Sequence, residues 1–352
     1  MSRKLIAIAS IVGLAVLAGV IVFAIAPAPV PPSSLSEEED SAAQEELIST
    51  AVRGKEIEGT SRPRSGGGQL FDPEFDTAVA RPAYEAEPPR VLFDEAHHNY
   101  HTATERYRPF AELVANDGYR VILNKKKLTR TLLATGDILV IANALGAEEM
   151  GMPGASDSAF TEAECDSVRD WIRAGGSLLL ITDHTPFGSA AASLAQRFGV
   201  QMSDGYTYDG SNSEGGGSSL VFTRKNTLLG DHPITAGRDD SERIDRVMTF
   251  TGQSLQGPAG SSALLKLGKT AVDERDGRRT SAAGRSQGVA FAFGAGRVVV
   301  LGEAAALSAQ GAGADRFGMN VPGLDNRQLA LNIMHWLSGL LEPRGEPPAK
   351  VK

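Results

Sequence analysis

The chain has little sulfur and little positive charge for its length. A single cysteine among 352 residues, Cys165, excludes an intrachain disulfide and leaves the compartment open. Aspartate and glutamate (43) outnumber lysine and arginine (35), and no basic stripe stands out. Nucleic acid is therefore not an expected partner. Neither a Walker motif nor a dinucleotide fingerprint occurs, so the sequence also offers no standard nucleotide-binding loop.

The chain begins with a long apolar run. Residues 5–26 are almost uninterrupted apolar residues, about 22 of them, which is enough to cross a bilayer. Two basic residues precede the run, so the positive-inside rule places the amino terminus in the cytoplasm. A cleaved signal peptide is the alternative, but Pro27 directly after Ala24-Ile25-Ala26 favours an uncleaved, single-pass anchor. Both alternatives predict an extracytoplasmic main domain, periplasmic or extracellular, and the anchor predicts the membrane as a partner.

Composition divides the rest of the chain into three parts. Residues 27–69 combine prolines, an acidic serine-rich stretch and a glycine run, which predicts a disordered linker. Residues 70–342 alternate apolar runs with helical patterns, which predicts one α/β domain with a mostly parallel sheet. Its first residues, up to about 89, are expected to form an extended arm on the domain surface. We expect residues 343–352 to be a disordered tail.

Periodicity gives the expected elements of that domain. Thr161-Glu162-Ala163-Glu164 is a capping box that predicts a helix start, and Asp325 with Gln328 predicts another. The glycine- and serine-rich residues 205–219 predict a mobile loop, and residues 230–234 predict a turn. The remaining predictions are strands at 91–93, 119–123, 138–142, 177–182, 288–293 and 297–301, and helices at 109–116, 128–134 and 189–198.

Three of the six histidines follow the first predicted strand within about eight residues, beside two carboxylates. Ligands of open α/β sheets bind outside the carboxyl ends of the strands. Later strand ends and the last helix start add further polar residues at the same edge. The resulting candidate rim consists of Asp94, Glu95, His97, His98, Asn99, His101, Asp183, His184, Glu303, Asp325 and Asn326. His232 and His335 lie outside it and are interpreted as structural.

These residue types allow three kinds of chemistry. His97, His101, Asp183 and His184 are a plausible ligand set for a zinc-like divalent ion, although no zinc-protease motif accompanies them. The same four residues, with Asp94 and Glu303, are alternatively candidate catalytic acids and bases. The third alternative is a rim that only binds a ligand, or whose side chains only form hydrogen bonds with nearby backbone groups. Its candidate contacts are Glu95, His98, Asn99, Asp325 and Asn326.

One further binding element is predicted at a helix start. Phe187, Gly188 and Ser189 open a helix of small residues, so its free amides are candidate ligands for a phosphate or carboxylate. Glycine and serine are also ordinary helix-start residues, so the motif has low specificity.

Five segments, 90–102, 181–188, 230–234, 297–310 and 325–341, resemble the class I glutamine amidotransferase-like superfamily. The resemblance is to the group that includes ThuA-like domains and auxiliary domains of gliding-motility and transport systems. It implies a flavodoxin-like, doubly wound sheet. Catalytic members carry a cysteine in an elbow after a strand, whereas the matching elbow here, Thr182-Asp183-His184-Thr185, has none. No His-x-Glu pair occurs downstream either, so the resemblance does not imply glutamine hydrolysis.

Two functions of different classes follow. The preferred hypothesis is a membrane-tethered domain that binds a small polar or sugar-like ligand, or a partner protein of an envelope complex or transport system. The alternative is a metal-assisted or acid–base hydrolase of the cell envelope that uses the rim of histidines and carboxylates. A cofactor is expected only in the second case, as a divalent metal.

Overall fold

The computed structural model of the protein describes residues 51–52, 69–215 and 217–341. The predicted anchor, most of the predicted linker and the predicted tail lie outside the described residues. Within those residues, no helix is both long and apolar enough to cross a membrane.

A ten-stranded sheet forms the centre of the fold. Five of its strands are parallel and adjacent, in the order Arg120–Asn124, Arg90–Asp94, Ile138–Ala142, Ser177–Ile181 and Gly296–Leu301, which is the flavodoxin-like order 2-1-3-4-5. Antiparallel strands extend the sheet at both sides. The strands are β1 Ala51–Val52, β2 Leu70–Phe71, β3 Arg90–Asp94, β4 Arg120–Asn124, β5 Ile138–Ala142, β6 Ser177–Ile181, β7 Gln201–Met202, β8 Tyr206–Tyr208, β9 Ser213–Glu214, β10 Ser219–Thr223, β11 Arg246–Thr249, β12 Leu255–Gln256, β13 Ser262–Lys266, β14 Val272–Arg275, β15 Arg278–Ser281, β16 Ser286–Phe293, β17 Gly296–Leu301, β18 Ala309–Ala312 and β19 Asp315–Gly318.

Helices cover both faces of the parallel strands, as a doubly wound sheet requires. Alternate side chains of β3 enter different cores. Val91 and Phe93 pack with the helices Arg108–Asn116 and Asn326–Leu337, whereas Leu92 packs with the helices Arg130–Leu133, Glu162–Arg173 and Phe187–Gln196. The strands are therefore buried on both faces, which explains their continuous apolar runs. The helices are α1 Arg108–Asn116, α2 Arg130–Leu133, α3 Glu162–Arg173, α4 Phe187–Gln196, α5 Pro233–Ala236 and α6 Asn326–Leu337, with 3-10 turns at Asp240–Glu242 and Ala305–Leu307.

Local sequence signals explain several boundaries. The predicted capping box is present at α3: the Thr161 hydroxyl accepts from the Glu164 amide, and the Glu164 carboxylate accepts from the Thr161 amide. The all-apolar strand at 138–142 is confirmed with its predicted bounds. The predicted pair at 288–293 and 297–301 is confirmed as the antiparallel pair β16 and β17. The arm is extended as predicted, since Phe75, Val79 and Tyr84 pack on the core without a helix.

Two predictions for the middle of the chain were wrong. Residues 205–219 are not one irregular loop, because they contain β8, β9 and the start of β10, which join small antiparallel sheets. Residues 230–234 do not form a simple turn, because α5 begins there with His232 as its N-cap. The two errors have different causes. β8 and β10 are stabilised by pairing with strands distant in sequence, whereas α5 starts at a local capping box of His232 and Thr235 that sequence reasoning missed.

Candidate functional site

The carboxyl edge of the parallel strands gathers buried polar residues. β3 ends in Asp94, and Asn143, Asp183 and Glu303 follow β5, β6 and β17. All four are buried. The strand order changes direction between β3 and β5, because β4 lies on the other side of β3. Such a switch point is where open α/β sheets form their ligand crevice.

Unpartnered buried polar atoms lie at this edge. Neither side-chain atom of Asn143, Nδ2 or Oδ1, has a hydrogen-bond partner, although the residue is only 1% exposed. Its backbone is fixed, because its amide donates to Ile181 O and its carbonyl accepts from the Tyr100 amide, both at 2.9 Å. Its φ of 46° is a left-handed value that asparagine tolerates. An unsatisfied buried polar group costs about 1–3 kcal/mol, so these atoms indicate a partner that the polypeptide itself does not supply.

Two further side chains share this property. His101 is 5% exposed and its Nδ1 atom has no partner. Burial, together with the charge of Arg106, lowers the pKa of His101 to about 3, so the ring is neutral at pH 7. Gln287 accepts the Thr249 hydroxyl at 2.6 Å, but its Nε2 atom has no partner. It reaches this edge because β16 runs antiparallel to β17, so that the start of one strand lies beside the end of the other.

Asp183 and Glu303 form a pair of buried carboxyl groups. Burial raises the pKa of Asp183 to about 6, although the charge of His184 and hydrogen bonds from backbone amides oppose this. Burial, together with the charge of Asp183, raises the pKa of Glu303 well above its usual value. The amides of Ala305 and Ala306 donate to Glu303 at 2.8 and 2.7 Å. The pair therefore titrates closer to neutral pH than exposed carboxylates do.

Aromatic rings form the outer part of this edge. His184 stacks on Tyr206 with ring centroids 4.1 Å apart and planes 22° from parallel. Tyr100 contacts Phe187, with centroids at 5.5 Å, and the Arg106 guanidinium lies 4.4 Å above the Tyr100 ring. His184 and Tyr206 are half-buried, so the stacked pair keeps surface available to a ligand.

His97 is separated from this group by its own bonds. Its Nδ1 contacts Asp94 at 2.9 Å, and its Nε2 contacts Glu164 of α3 at 3.0 Å. Burial opposes the charged ring, but the hydrogen bonds and charges of Asp94 and Glu164 still raise the pKa of His97. Both ring nitrogens are thus committed to tying β3 to α3. This geometry gives no support to the predicted catalytic roles of Asp94 and His97.

Of the three predicted ligand contacts in the same loop, two have structural partners and the third is exposed. Glu95 accepts the Ala103 amide at 3.0 Å, and burial raises the pKa of Glu95. Asn99 accepts the His97 amide and donates to Asp94 at 3.1 Å. His98 points to solvent with φ of 48°. Glu95 and Asn99 therefore organise the loop that carries His101.

The predicted anion site at the start of α4 is filled by the protein itself. The Ser189 amide donates to Asp204 Oδ1 at 2.8 Å, and the Ser189 hydroxyl donates to Asp204 Oδ2. Asp204 also pairs with Arg275 at 3.0 Å. A Cβ atom on Gly188 would meet Asp204 Oδ1 at 2.8 Å, and Phe187 is buried in the rim. This helix end is closed to an external anion because a carboxylate already occupies it.

Asp325 and Asn326 hold β11 against α6 instead of facing a ligand. Asp325 Oδ2 accepts the amides of Asp245 and Arg246, each at 2.8 Å. The Asn326 side chain accepts from Met248 N and donates to Met248 O. The predicted capping box at Asp325 was wrong, because its carboxylate leaves the helix start and makes no cap bond.

The four predicted metal ligands do not form a ligand group. Among the residues that the structure describes, no three His, Cys, Asp or Glu side chains are arranged to hold a metal ion. His97 has both nitrogens bonded to carboxylates, and His184 Nδ1 contacts Thr185 O at 2.9 Å. Asp183 and His184 do remain together, with Oδ1 and Nε2 3.6 Å apart.

The lone cysteine lies away from the elbow after β6. Cys165 is buried in α3, 3.7 Å from the Ser193 hydroxyl, and burial raises the pKa of its thiol. The elbow itself carries Asp183 and His184. The other two histidines have structural contacts: His232 caps α5, and His335 binds Asp117 at 2.7 Å.

Sequence reasoning missed Asn143, Gln287 and Tyr206. Asn143 had a usable signal, because it directly follows the all-apolar strand at 138–142, as Asp94 follows β3. Gln287 and Tyr206 had none, since only the pairing of β16 and the position of β8 bring them to this edge.

Comparison with known proteins supports the architecture alone. The mmIFT52 N-terminal domain matches with a TM-score of 0.50 and 13% identity, over 71% of this chain and 97% of that one. A cytoplasmic protein of Salmonella typhimurium matches with a TM-score of 0.45, 11% identity and coverage of 71% and 98%. A ThuA-like protein from Bacteroides uniformis matches with a TM-score of 0.40 and 14% identity, over 73% of this chain and 94% of that one. No protein-family model and no curated protein matches the chain.

The fold and the edge together define a class of domain. It is a mixed α/β domain with a large, partly parallel sheet, consistent with a flavodoxin-like fold, and its structural neighbours include ThuA-like proteins. The function of the carboxyl edge is inferred from the residues of this chain.

Proposed function

We propose that this protein is a membrane-tethered, extracytoplasmic domain that binds a small polar ligand at the carboxyl edge of its sheet. The apolar run at 5–26 supports the tether and the orientation. Burial raises the pKa of the Cys165 thiol, which disfavours the nucleophilic thiolate. The elbow after β6 carries Asp183 instead of a cysteine. Both observations support binding without amidotransferase chemistry.

One observation carries the proposal. Both side-chain atoms of Asn143, Nδ1 of His101 and Nε2 of Gln287 are buried and unpartnered on one edge of the sheet. Each such group lowers stability until something bonds to it, so a polar ligand that bonds to them recovers free energy. Small-molecule sites characteristically present a few such polar groups among aromatic side chains, as Tyr206 and His184 are arranged here.

Replacing Asn143 by glycine should separate ligand binding from stability. Glycine accepts the φ of 46° without strain and removes both unpartnered atoms. We expect the free energy of unfolding to stay within about 1 kcal/mol of the wild type, or to rise. Ligand affinity should fall about tenfold or more, because two hydrogen bonds are lost. Thermal-shift screening of a panel of sugars, amines, amino acids and organic acids, followed by calorimetry on the hits, measures both quantities.

Asn99→Gly is the matched control for that variant. Asn99 is equally buried but fully bonded to Asp94, His97 and Ala142, so its loss should reduce stability by about 2 kcal/mol. If Asn143→Gly destabilises the protein as much as Asn99→Gly and leaves the affinity of every hit unchanged, the proposed site is wrong.

A second candidate function has its own supporting observation. The buried pair of Asp183 and Glu303, with the pKa of Asp183 raised to about 6, suits acid–base hydrolysis near neutral pH. Asp183 would accept a proton from the attacking water, and Glu303, whose raised pKa keeps a proton on it, would donate that proton to the leaving group. Asp183→Asn should then lower turnover of any ester or glycoside substrate by about 10²–10⁴. Unchanged turnover in that variant would exclude the mechanism.

A further inference from the structure

The two buried carboxyl groups of the site have no strong cation beside them. In the part of the chain that the structure describes, no arginine or lysine forms a salt bridge with Asp183 or Glu303. The histidine beside Asp183 is His184, whose Nε2 is 3.6 Å away, longer than a hydrogen bond. From this arrangement we propose that the ligand of the carboxyl-edge site carries a positively charged amine. The inference rests on the proposed function and names the chemical class of its ligand.

The first support is the missing counter-charge. The Asp183 side chain is 13% exposed, and Glu303 is 2% exposed. Burying carboxylates without a paired cation is unfavourable, and a ligand ammonium placed beside them removes that penalty. A metal ion would also bring positive charge, but the described residues offer no group of three metal ligands. An organic ammonium needs only one or two carboxylates and a few hydrogen bonds.

The second support is that the anion site predicted at this edge is already filled by the protein itself. The helix terminus nearest to the rim, at the start of α4, is bonded to Asp204 through Ser189. Asp204 holds Arg275 as its own ion pair. His101, the buried histidine of the site, is neutral at pH 7 because burial lowers its pKa to about 3. The Arg106 guanidinium at this edge lies over the Tyr100 ring rather than in a salt bridge with either carboxyl group of the site. A carboxylate or phosphate placed beside Asp183 and Glu303 would therefore meet two carboxyl groups.

The third support is the aromatic rim. The faces of tyrosine rings attract ammonium and guanidinium groups. Tyr206 is half-buried against His184. Burial, and after it the nearby charge of Asp183, raises the pKa of the Tyr206 phenol. Tyr100 already holds a cation in this way, since Arg106 lies 4.4 Å above its ring. Asn143 and Gln287 then provide uncharged donors and an acceptor for the rest of the ligand.

Two matched sets of compounds test the inference. Each set keeps one ring and varies the charge of a single substituent: glucosamine, glucose and glucuronate, and cyclohexylamine, cyclohexanol and cyclohexanecarboxylate. Calorimetry at pH 7 with the purified full chain gives their affinities. Loss of one partner of a buried charge pair costs at least about 2 kcal/mol, so in at least one set the amine should bind about 30-fold more tightly than its alcohol.

Asp183→Asn should reduce that preference about 30-fold and leave the affinity of the alcohol within about threefold. Asp157→Asn is the control, because it removes the same charge from an exposed position in the loop between β5 and α3. It should leave the preference unchanged. Far-ultraviolet circular dichroism and the midpoint of thermal unfolding confirm that each variant is folded.

Each other result overturns the inference. An alcohol or acid that binds as tightly as its amine contradicts it, and so does an equal loss for amine and alcohol in Asp183→Asn. If none of the six compounds binds but the screening panel yields a hit without an amine, the ligand class is wrong while the proposed site survives. If no compound of any class binds, and Asn143→Gly changes nothing but stability, the proposed function fails as well.

Discussion

His97→Ala is expected to lower the free energy of unfolding by roughly 3–5 kcal/mol. The substitution leaves Asp94 and Glu164 buried without the ring that joins them at 2.9 and 3.0 Å. Both carboxylates keep other donors, such as Asn99 for Asp94 and Thr161 for Glu164, but they lose the ring that offsets their charges. Removing one partner of a buried ion pair is strongly destabilising because the remaining charges are left uncompensated. Urea unfolding followed by circular dichroism measures the change.

His98→Asn is the matched control for His97→Ala. The two histidines are adjacent, but His98 is exposed, and asparagine accepts its φ of 48°. We expect His98→Asn to change stability by no more than about 0.5 kcal/mol. Equal effects in the two variants would contradict the assignment of His97 as the link between β3 and α3. If the His97→Ala protein is stable but loses ligand affinity, His97 is a binding residue of the site.

Asp183→Asn is expected to stabilise the protein by about 3 kcal/mol at pH 8. The folded-state pKa of Asp183 is about 6, above the unfolded value near 3.8, so the folded state binds the proton more tightly. The wild type therefore loses stability as pH rises from about 4 through 6, and asparagine, which stays neutral, does not. The difference between variant and wild type should shrink below about 1 kcal/mol at pH 4.

Urea unfolding at pH 4, 6 and 8 measures this dependence, with Asp157→Asn as the exposed control. Asp157→Asn should track the wild type within about 0.5 kcal/mol at each pH. If the wild type is as stable as Asp183→Asn at pH 8, the folded state does not raise the pKa of Asp183, and the prediction is wrong. Such a gain in stability on loss of a site residue is characteristic of functional sites.

The sequence was sufficient to predict the elements that local pattern determines. The strand at 138–142 is fully apolar because both faces are buried, and the capping box at Thr161 is a local motif, so both were predicted correctly. The rule that ligands bind at strand carboxyl ends also placed Asp183, Glu303 and His101 at one edge. These predictions depend on neighbours in sequence or on a general property of parallel sheets.

Contacts between distant residues could not be predicted in this way. Glu164 is recognisable as a capping residue, but its bond to His97 joins positions 67 residues apart. Asp204 closes the start of α4 from a segment beyond that helix, which cancels the predicted anion site. Gln287 reaches the site only through the antiparallel pairing of β16 with β17. Tertiary pairing, rather than composition or period, decides which polar groups remain available to a ligand.

A crystal structure of the protein with its tightest-binding compound tests the central claim most directly. The result we predict is a compound at the carboxyl edge, within hydrogen-bonding distance of Asn143 Nδ2 or Oδ1 and of Gln287 Nε2, with its amine facing Asp183. A compound bound elsewhere, with the Asn143 amide bonded only to atoms of the protein, would contradict the account.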